Sequence, residues 1–416
     1  MVTESLPRLD AGDPAAGGPV DYPRFSNTER DRRWTTVRGL MQRDGVDVIL
    51  GFPNSHMFDS FQASTRYLTG IGGNCASVGV VFPQAGGITA IVSPDQAPAY
   101  LRAVQDWVTD IRNVAPSWAY APAYIDRLQE LGAHSSRIGI IGLSGNTRYA
   151  EGSASYGLVT SLQAAFPRAQ LVNATFLLDE ARYVKSDEEL RCIEQATQLA
   201  ERALEVLRAE ARPGLTERAL VGRMLAAMVE HGGDLPTMIL WSAGWPQPPT
   251  NHYQPTGRQL RAGDMFATEL EARWAGYVGQ RTQMGFLGPI PALYRDLADL
   301  QRTALESCYE LLRPGHTIGD LVRACEQAAR GTPFSCRIIM HGKGLGDDAP
   351  IAIYGTRDQR MAEWPIEANA CFVIKPMAMR GEKEQFVYWG DTVVATPGGA
   401  RRLGSQPTAL LQLDAT

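Results

Sequence analysis

Apolar and polar positions along the first half of the chain separate strands from helices. "GVDVILGF", "SVGVVFP", "GITAIVSP" and "SRIGIIG" are short runs rich in Val and Ile, edged by Gly, Pro, Ser or Asp. Such runs read as buried strands. Between them lie stretches such as "ERDRRWTTVRGLMQRDG" and "PAYIDRLQELGA", which read as helices. Strands and helices in alternation predict an open α/β sheet over residues 31–178. Residues 1–30, with their Pro, Gly, Ala and Asp, are expected to form a flexible tail.

A second unit is predicted over residues 179–416. Its first long helix opens at Ser186, whose S-x-x-E spacing to Glu189 predicts a capping box. Leu190, Ile193, Ala196, Ala200, Ala203 and Leu207 keep one face apolar, and Pro213 and Gly214 end the run. The pattern then recurs about a hundred residues later. "ALEVLRAEARPGLTERALVGRM" and "ALESCYELLRPGHTIGDLVRAC" are both helix, Arg-Pro-Gly-x-Thr turn, helix, and each leads into strand-like segments. Two copies of so long a period predict a duplicated module with pseudo-two-fold symmetry.

One strand of the second copy breaks its own pattern. In "CFVIKPMAM", residues 371–379, Lys375 interrupts an apolar run. An unpaired buried ammonium is too costly to keep. Aligning "MFATE" with "CFVIK" sets Lys375 at the position equivalent to Glu269, so a buried Glu269–Lys375 pair is expected. Glu269 and Glu271 share a strand face, as do Gln280 and Thr282.

Composition narrows the partners. The chain has 416 residues, of which 44% are hydrophobic and 20% charged, an ordinary globular balance. A net charge of −5 without a Lys/Arg block leaves no footprint for nucleic acid. No apolar run nears the ~18 residues of a membrane span. The N-terminal stretch lacks a basic region followed by an apolar core, so no secretory signal is expected. Six scattered cysteines without a C-x-x-C pair predict reduced thiols in a cytoplasmic protein. "GLSGNT" is glycine-rich but has no nucleotide-binding spacing.

Four further segments carry a resemblance. "RYLTG", "ARYVKSDEELRCIEQA", "NHYQPTGRQLRAGD" and "MHGKGLG" resemble the pita-bread superfamily, which includes aminopeptidase P, prolidase and creatinase. The resemblance implies a creatinase-type α/β N-terminal domain followed by an α+β pita-bread catalytic domain. It implies a homodimer with the site near the subunit interface. The family's metallopeptidases hold two divalent metals through two aspartates, one histidine and two glutamates. Those positions here carry Glu269, Gln280, His341, Lys375 and Gly390. One carboxylate beside a lysine cannot supply the oxygen-rich shell that hard cations demand, so no metal and no other cofactor is expected.

Creatinase, which works without metal, is the member this chain resembles in character. Its substrate-holding arginine has no counterpart in "GGNCASVG", so a different small polar metabolite is the implied substrate. The implied reaction is hydrolysis of a C–N bond. His252 would relay a proton, His341 would touch substrate or act as acid or base, and the Lys375 ammonium, paired with Glu269, would stand in for the metal. Glu271, Gln280, Arg281, Trp245 and Tyr253 are candidate substrate-binding residues. Asp347 and Asp348 read as solvated loop charges, and Trp241 as pocket wall or core. A lyase on the same fold, and an inactive scaffold or binding protein, are the alternatives. Both histidines are kept and polar residues fill three of the substituted positions, which favours an enzyme.

Overall fold

The computed structural model describes residues 24–53, 63–72, 77–145, 150–246, 254–353 and 359–415. His252 and Tyr253 therefore lie outside the described residues. The helices are α1 Asn27–Asp44, α2 Ala63–Thr69, α3 Pro98–Val104, α4 Ala121–Glu130, α5 Tyr156–Ala165, α6 Thr175–Tyr183, α7 Asp187–Glu210, α8 Glu217–Glu230, α9 Ala292–Leu311, α10 Ile318–Ala328 and α11 Gln359–Ala362. The strands of the first half are β1 Val48–Gly51, β2 Val78–Pro83, β3 Thr89–Val92, β4 Asp110–Asn113, β5 Arg137–Ile140 and β6 Gln170–Asn173. Those of the second half are β7 Asp234–Gly244, β8 Met265–Trp274, β9 Tyr277–Leu287, β10 Ser335–Lys343, β11 Asp347–Ile353, β12 Cys371–Arg380, β13 Gln385–Tyr388, β14 Gly390–Thr396, β15 Gly399–Arg402 and β16 Leu411–Leu413. No helix among the described residues is long and apolar enough to cross a membrane.

The chain divides between Arg182 and Tyr183, a few residues beyond the expected boundary, because α6 carries the first unit further. The first unit is a six-stranded sheet in the order β4-β3-β2-β1-β5-β6. β1 runs parallel to β5 and antiparallel to β2. Val48, Leu50, Val81, Ile91, Ile138 and Ile140 form its core with Tyr124 and Phe166, and the Tyr124 hydroxyl donates to the carbonyl of Gly51 at 2.6 Å. Residues 27–30, expected within the tail, are helical instead. α1 begins at Asn27 because Ser26 caps it, accepting from the Glu29 amide.

The second unit shows the predicted duplication. α7 and α8 meet at Arg212-Pro213-Gly214-Leu215-Thr216, α9 and α10 at Arg313-Pro314-Gly315-His316-Thr317. Gly214 and Gly315 have φ of 87° and 95°, a region that favours glycine. Each threonine is the N-cap of the following helix. Each also forms an isolated bridge, Thr216 to Gln259 and Thr317 to Pro365. Ser186 and Glu189 form the expected capping box at the start of α7.

Both modules feed one sheet, in the order β11-β10-β12-β14-β9-β8-β7. Strand alternation gives it two unlike faces. Phe266, Leu270 and Ala272 of β8 point to the core built with α7 and α8. Gly279 of β9 lies so close to α7 that a Cβ there would sit 2.2 Å from the Thr197 amide nitrogen. The opposite face carries Glu269 and Glu271, set against Thr282 and Gln280 in the β8–β9 register.

Candidate active site

Four strands bring a polar cluster together on that second face. β8 supplies Glu269, β9 supplies Gln280, and β12 supplies Lys375. Tyr388 ends β13. The Glu269 carboxylate is the hub. Its Oε2 accepts from Lys375 Nζ at 2.6 Å and from Gln280 Nε2 at 2.7 Å, and its Oε1 accepts from the Tyr388 hydroxyl at 3.0 Å. The Lys375 side chain is 2% exposed and that of Glu269 is 11% exposed. The expected pair is therefore present and nearly dry. Burial alone would raise the Glu269 carboxyl. The charge and hydrogen bond of Lys375, aided by Tyr388 and His341, outweigh it and hold the group below its ordinary value.

A second cluster adjoins the first. Lys343 of β10 donates to Glu271 Oε1 and to Asp347 Oδ1, each at 2.7 Å. Burial would lower the Lys343 ammonium, but the two carboxylates carry it above its usual value. His341 Nδ1 lies 3.0 Å from Asp347 Oδ1, near enough to feel its charge. Burial drives His341 down to about 4, with Asp347 opposing and Lys343 and Lys375 adding to the fall. The imidazole is thus neutral at pH 7. Lys185 Nζ donates to Asp348 Oδ2 at 2.9 Å.

Several expectations need correction. Asp347 and Asp348 are not solvated loop charges: both lie in β11, with side chains 3% and 1% exposed, each paired to a buried lysine. Arg281 is not gathered with the other candidates. It sits between Gln280 and Thr282 in sequence, so its side chain leaves by the opposite face. There Asp391 accepts from it at 2.7 Å, Glu201 lies 3.4 Å away, and the Pro407 carbonyl accepts as well. Glu271 is committed to Lys343 and stands in the second cluster. Trp245 is 55% exposed and meets Phe286 edge-on and Tyr294 at a tilt. Trp241 is core, stacked on Phe266 with centroids 5.9 Å apart. Tyr388, Lys343 and Asp347 were missed as members of the site. Tyr388 lies two residues before Gly390 on the strand approach, and Lys343 two residues after His341, so face alternation was the signal for both.

The family profile described as "Creatinase/Prolidase N-terminal domain" matches residues 33–184, and that described as "Metallopeptidase family M24" matches residues 191–397. Among similar proteins, the Xaa-Pro dipeptidase of Pyrococcus furiosus is 22% identical over 326 residues, 78% of this chain and 89% of that one. The creatinase of a Bacillus species is 22% identical over 322 residues, 76% of this chain and 74% of that one. The solved structure of a recombinant prolidase from Thermococcus sibiricus superposes with a TM-score of 0.75 at 18% identity, covering 95% of this chain and all of that chain.

At the five positions that the resemblance matches to metal ligands, the side chains do not fit a pair of divalent cations. Glu269 is bound to an ammonium. Gln280 and Lys375 offer an amide and a cation where the resemblance implies carboxylates. Gly390 cannot be a side-chain ligand, and its site has no room for one: a Cβ there would lie 1.9 Å from the carbonyl oxygen of Ile374. Among the described residues no three His, Cys, Asp or Glu side chains converge as a metal would require. Matched in order by the two profiles and sharing its fold with prolidases over nearly its whole length, the chain belongs to the pita-bread superfamily, as a creatinase/prolidase N-terminal domain followed by an M24 domain.

Proposed function

We propose that this protein is a metal-independent, creatinase-like hydrolase that cleaves a C–N bond in a small polar metabolite. The observation that carries this reading is the buried Lys375–Glu269 pair, at two positions that the resemblance matches to metal ligands. In the reaction, the oxygen of water forms a bond to the carbon, the C–N bond breaks, and the nitrogen leaves with a proton. Negative charge builds on the substrate oxygen in between. A fixed ammonium in a nearly dry site stabilises such charge far better than one in water. Glu269 pairs with the Lys375 ammonium and aims it, and Gln280 and Tyr388 hold Glu269. His252 relays the proton to the leaving nitrogen, as the resemblance implies. His341, neutral at pH 7, serves as a proton acceptor or hydrogen-bonding partner. A cytoplasmic homodimer with its site near the subunit interface belongs to the same reading.

Elemental analysis of protein purified without chelator tests it, with light scattering on the same preparation. Sub-stoichiometric metal, a melting temperature unmoved by EDTA and twice the chain mass are expected. One equivalent of Mn, Zn, Co or Fe, with stability or turnover lost to the chelator, would refute metal independence, and a stable monomer would refute the dimer.

A further inference from the structure

Gln280 and Thr282 stand two residues apart on β9, both fully buried, on the side of the sheet that carries Glu269. Among the described residues, neither Gln280 Oε1 nor Thr282 Oγ1 has a hydrogen-bond partner. The orientation of the Gln280 amide follows from its neighbour. An ionised carboxylate only accepts, so the NH2 end must face Glu269, and Oε1 is the end turned away. Lys375 spends one donor on Glu269, and an ammonium has others. Buried polar atoms are rarely left unmade without a reason. The Glu269 side chain, hydrogen-bonded to both Gln280 and Lys375, is 11% exposed.

We propose that Gln280, Thr282 and Lys375 form a recognition site for a neutral carbamoyl or ureido group. Lys375 donates to its carbonyl oxygen, Gln280 Oε1 accepts from its N–H edge, and the Thr282 hydroxyl serves either edge. This deepens the reading above and rests on it, the ureido C–N bond being the one cut. Three features select the group. A guanidinium is cationic and has only donors, so it meets Lys375 with repulsion and leaves the ammonium unserved. A carboxylate has only acceptors and would set its oxygen against Gln280 Oε1. The Lys375 charge is already balanced by Glu269, so a neutral group with one acceptor edge and one donor edge completes the site. Rejection of near-isosteres by mispaired buried polar groups is a strong source of discrimination.

The test is calorimetric titration of the full-length protein with N-carbamoylglycine, guanidinoacetate and malonate, three ligands sharing an acetate arm. N-carbamoylglycine is expected to bind at least about tenfold more tightly than either of the others. Gln280→Glu should abolish that preference. Thr282→Val, in which a methyl replaces an unpartnered hydroxyl, should fold with an undiminished melting temperature and still weaken N-carbamoylglycine several-fold. A Thr282 that serves only the fold would give the reverse: lower stability and unchanged binding. Equal binding of the three ligands, a preference for guanidinoacetate or malonate, no binding at millimolar concentration, or wild-type affinity in Thr282→Val overturns the proposal. Metal independence stands or falls separately on the elemental analysis, so each failure is told apart from the other.

Discussion

Replacing Lys375 by methionine preserves much of the side chain's length and removes its charge. Glu269 then stays in a site where only 11% of its side chain reaches solvent, with its counter-charge gone. Breaking a buried pair from one side costs about 3–5 kcal/mol, because an uncompensated charge remains. Glu269 keeps two hydrogen bonds, from Gln280 and Tyr388, which places the expected loss near the lower end, about 3 kcal/mol. Adding Glu269→Leu removes the stranded charge but takes from the Gln280 NH2 its carboxylate acceptor. A neutral group left unmade costs ~1–3 kcal/mol. The double variant should therefore recover part of the loss and remain below wild type. Urea titration at pH 7, read by tryptophan fluorescence, is the assay. Trp241 and Trp389 are buried in the same unit as the pair. A midpoint shift at constant slope reports stability. A Lys375→Met variant within about 1 kcal/mol of wild type, or a double variant less stable than the single, would refute the claim that this pair is a coupled, desolvated unit.

Two further outcomes follow from the same geometry. His341 is held near 4 in the folded protein against ~6.5 unfolded, so the unfolded chain binds the extra proton first as pH falls. Its contribution is whole above pH ~6.5 and lost progressively toward pH 4, about 3 kcal/mol in all; His341→Gln should flatten that part of the pH–stability curve, and an unchanged curve would contradict the assignment. Gly390→Ala should destabilise the second unit by at least about 3 kcal/mol, since the new Cβ meets the Ile374 carbonyl at 1.9 Å; a neutral substitution in the same urea assay would show that the strands part easily there.

Much of this architecture was legible in the chain because local signals agreed with one another. The two Arg-Pro-Gly-x-Thr turns announced the duplication, and the glycine φ values and threonine caps show why the motif recurs. That duplication in turn paired Lys375 with Glu269 across a sequence gap no local rule could bridge. Other residues were illegible for reasons equally physical. Asp347 and Asp348 follow a glycine-rich stretch, where charges are usually solvated. The lysines brought to them, Lys185 from before α7 and Lys343 from β10, help make their burial tolerable. Arg281 misled because residue type says nothing about face. A one-position alternation sends it to Asp391 while its neighbours Gln280 and Thr282 turn toward Glu269. His252 and Tyr253 rest on the resemblance alone.

Gly390 also bears on how such a site can change over time. The missing side chain lets β14 close onto β12 until no atom fits between them. If a glutamate once stood at this position, as the family's metal-binding members imply, its loss was followed by a collapse of backbone. That makes the step a ratchet. Restoring the carboxylate by a single codon change would force the strands apart before any metal could reward it, and Lys375 would still occupy the neighbouring position with a positive charge. On the alignment the resemblance implies, at least two coordinated replacements and a backbone shift would be needed to rebuild the carboxylate set there. Substitution one position at a time therefore meets a steric barrier at Gly390 before any carboxylate there could act.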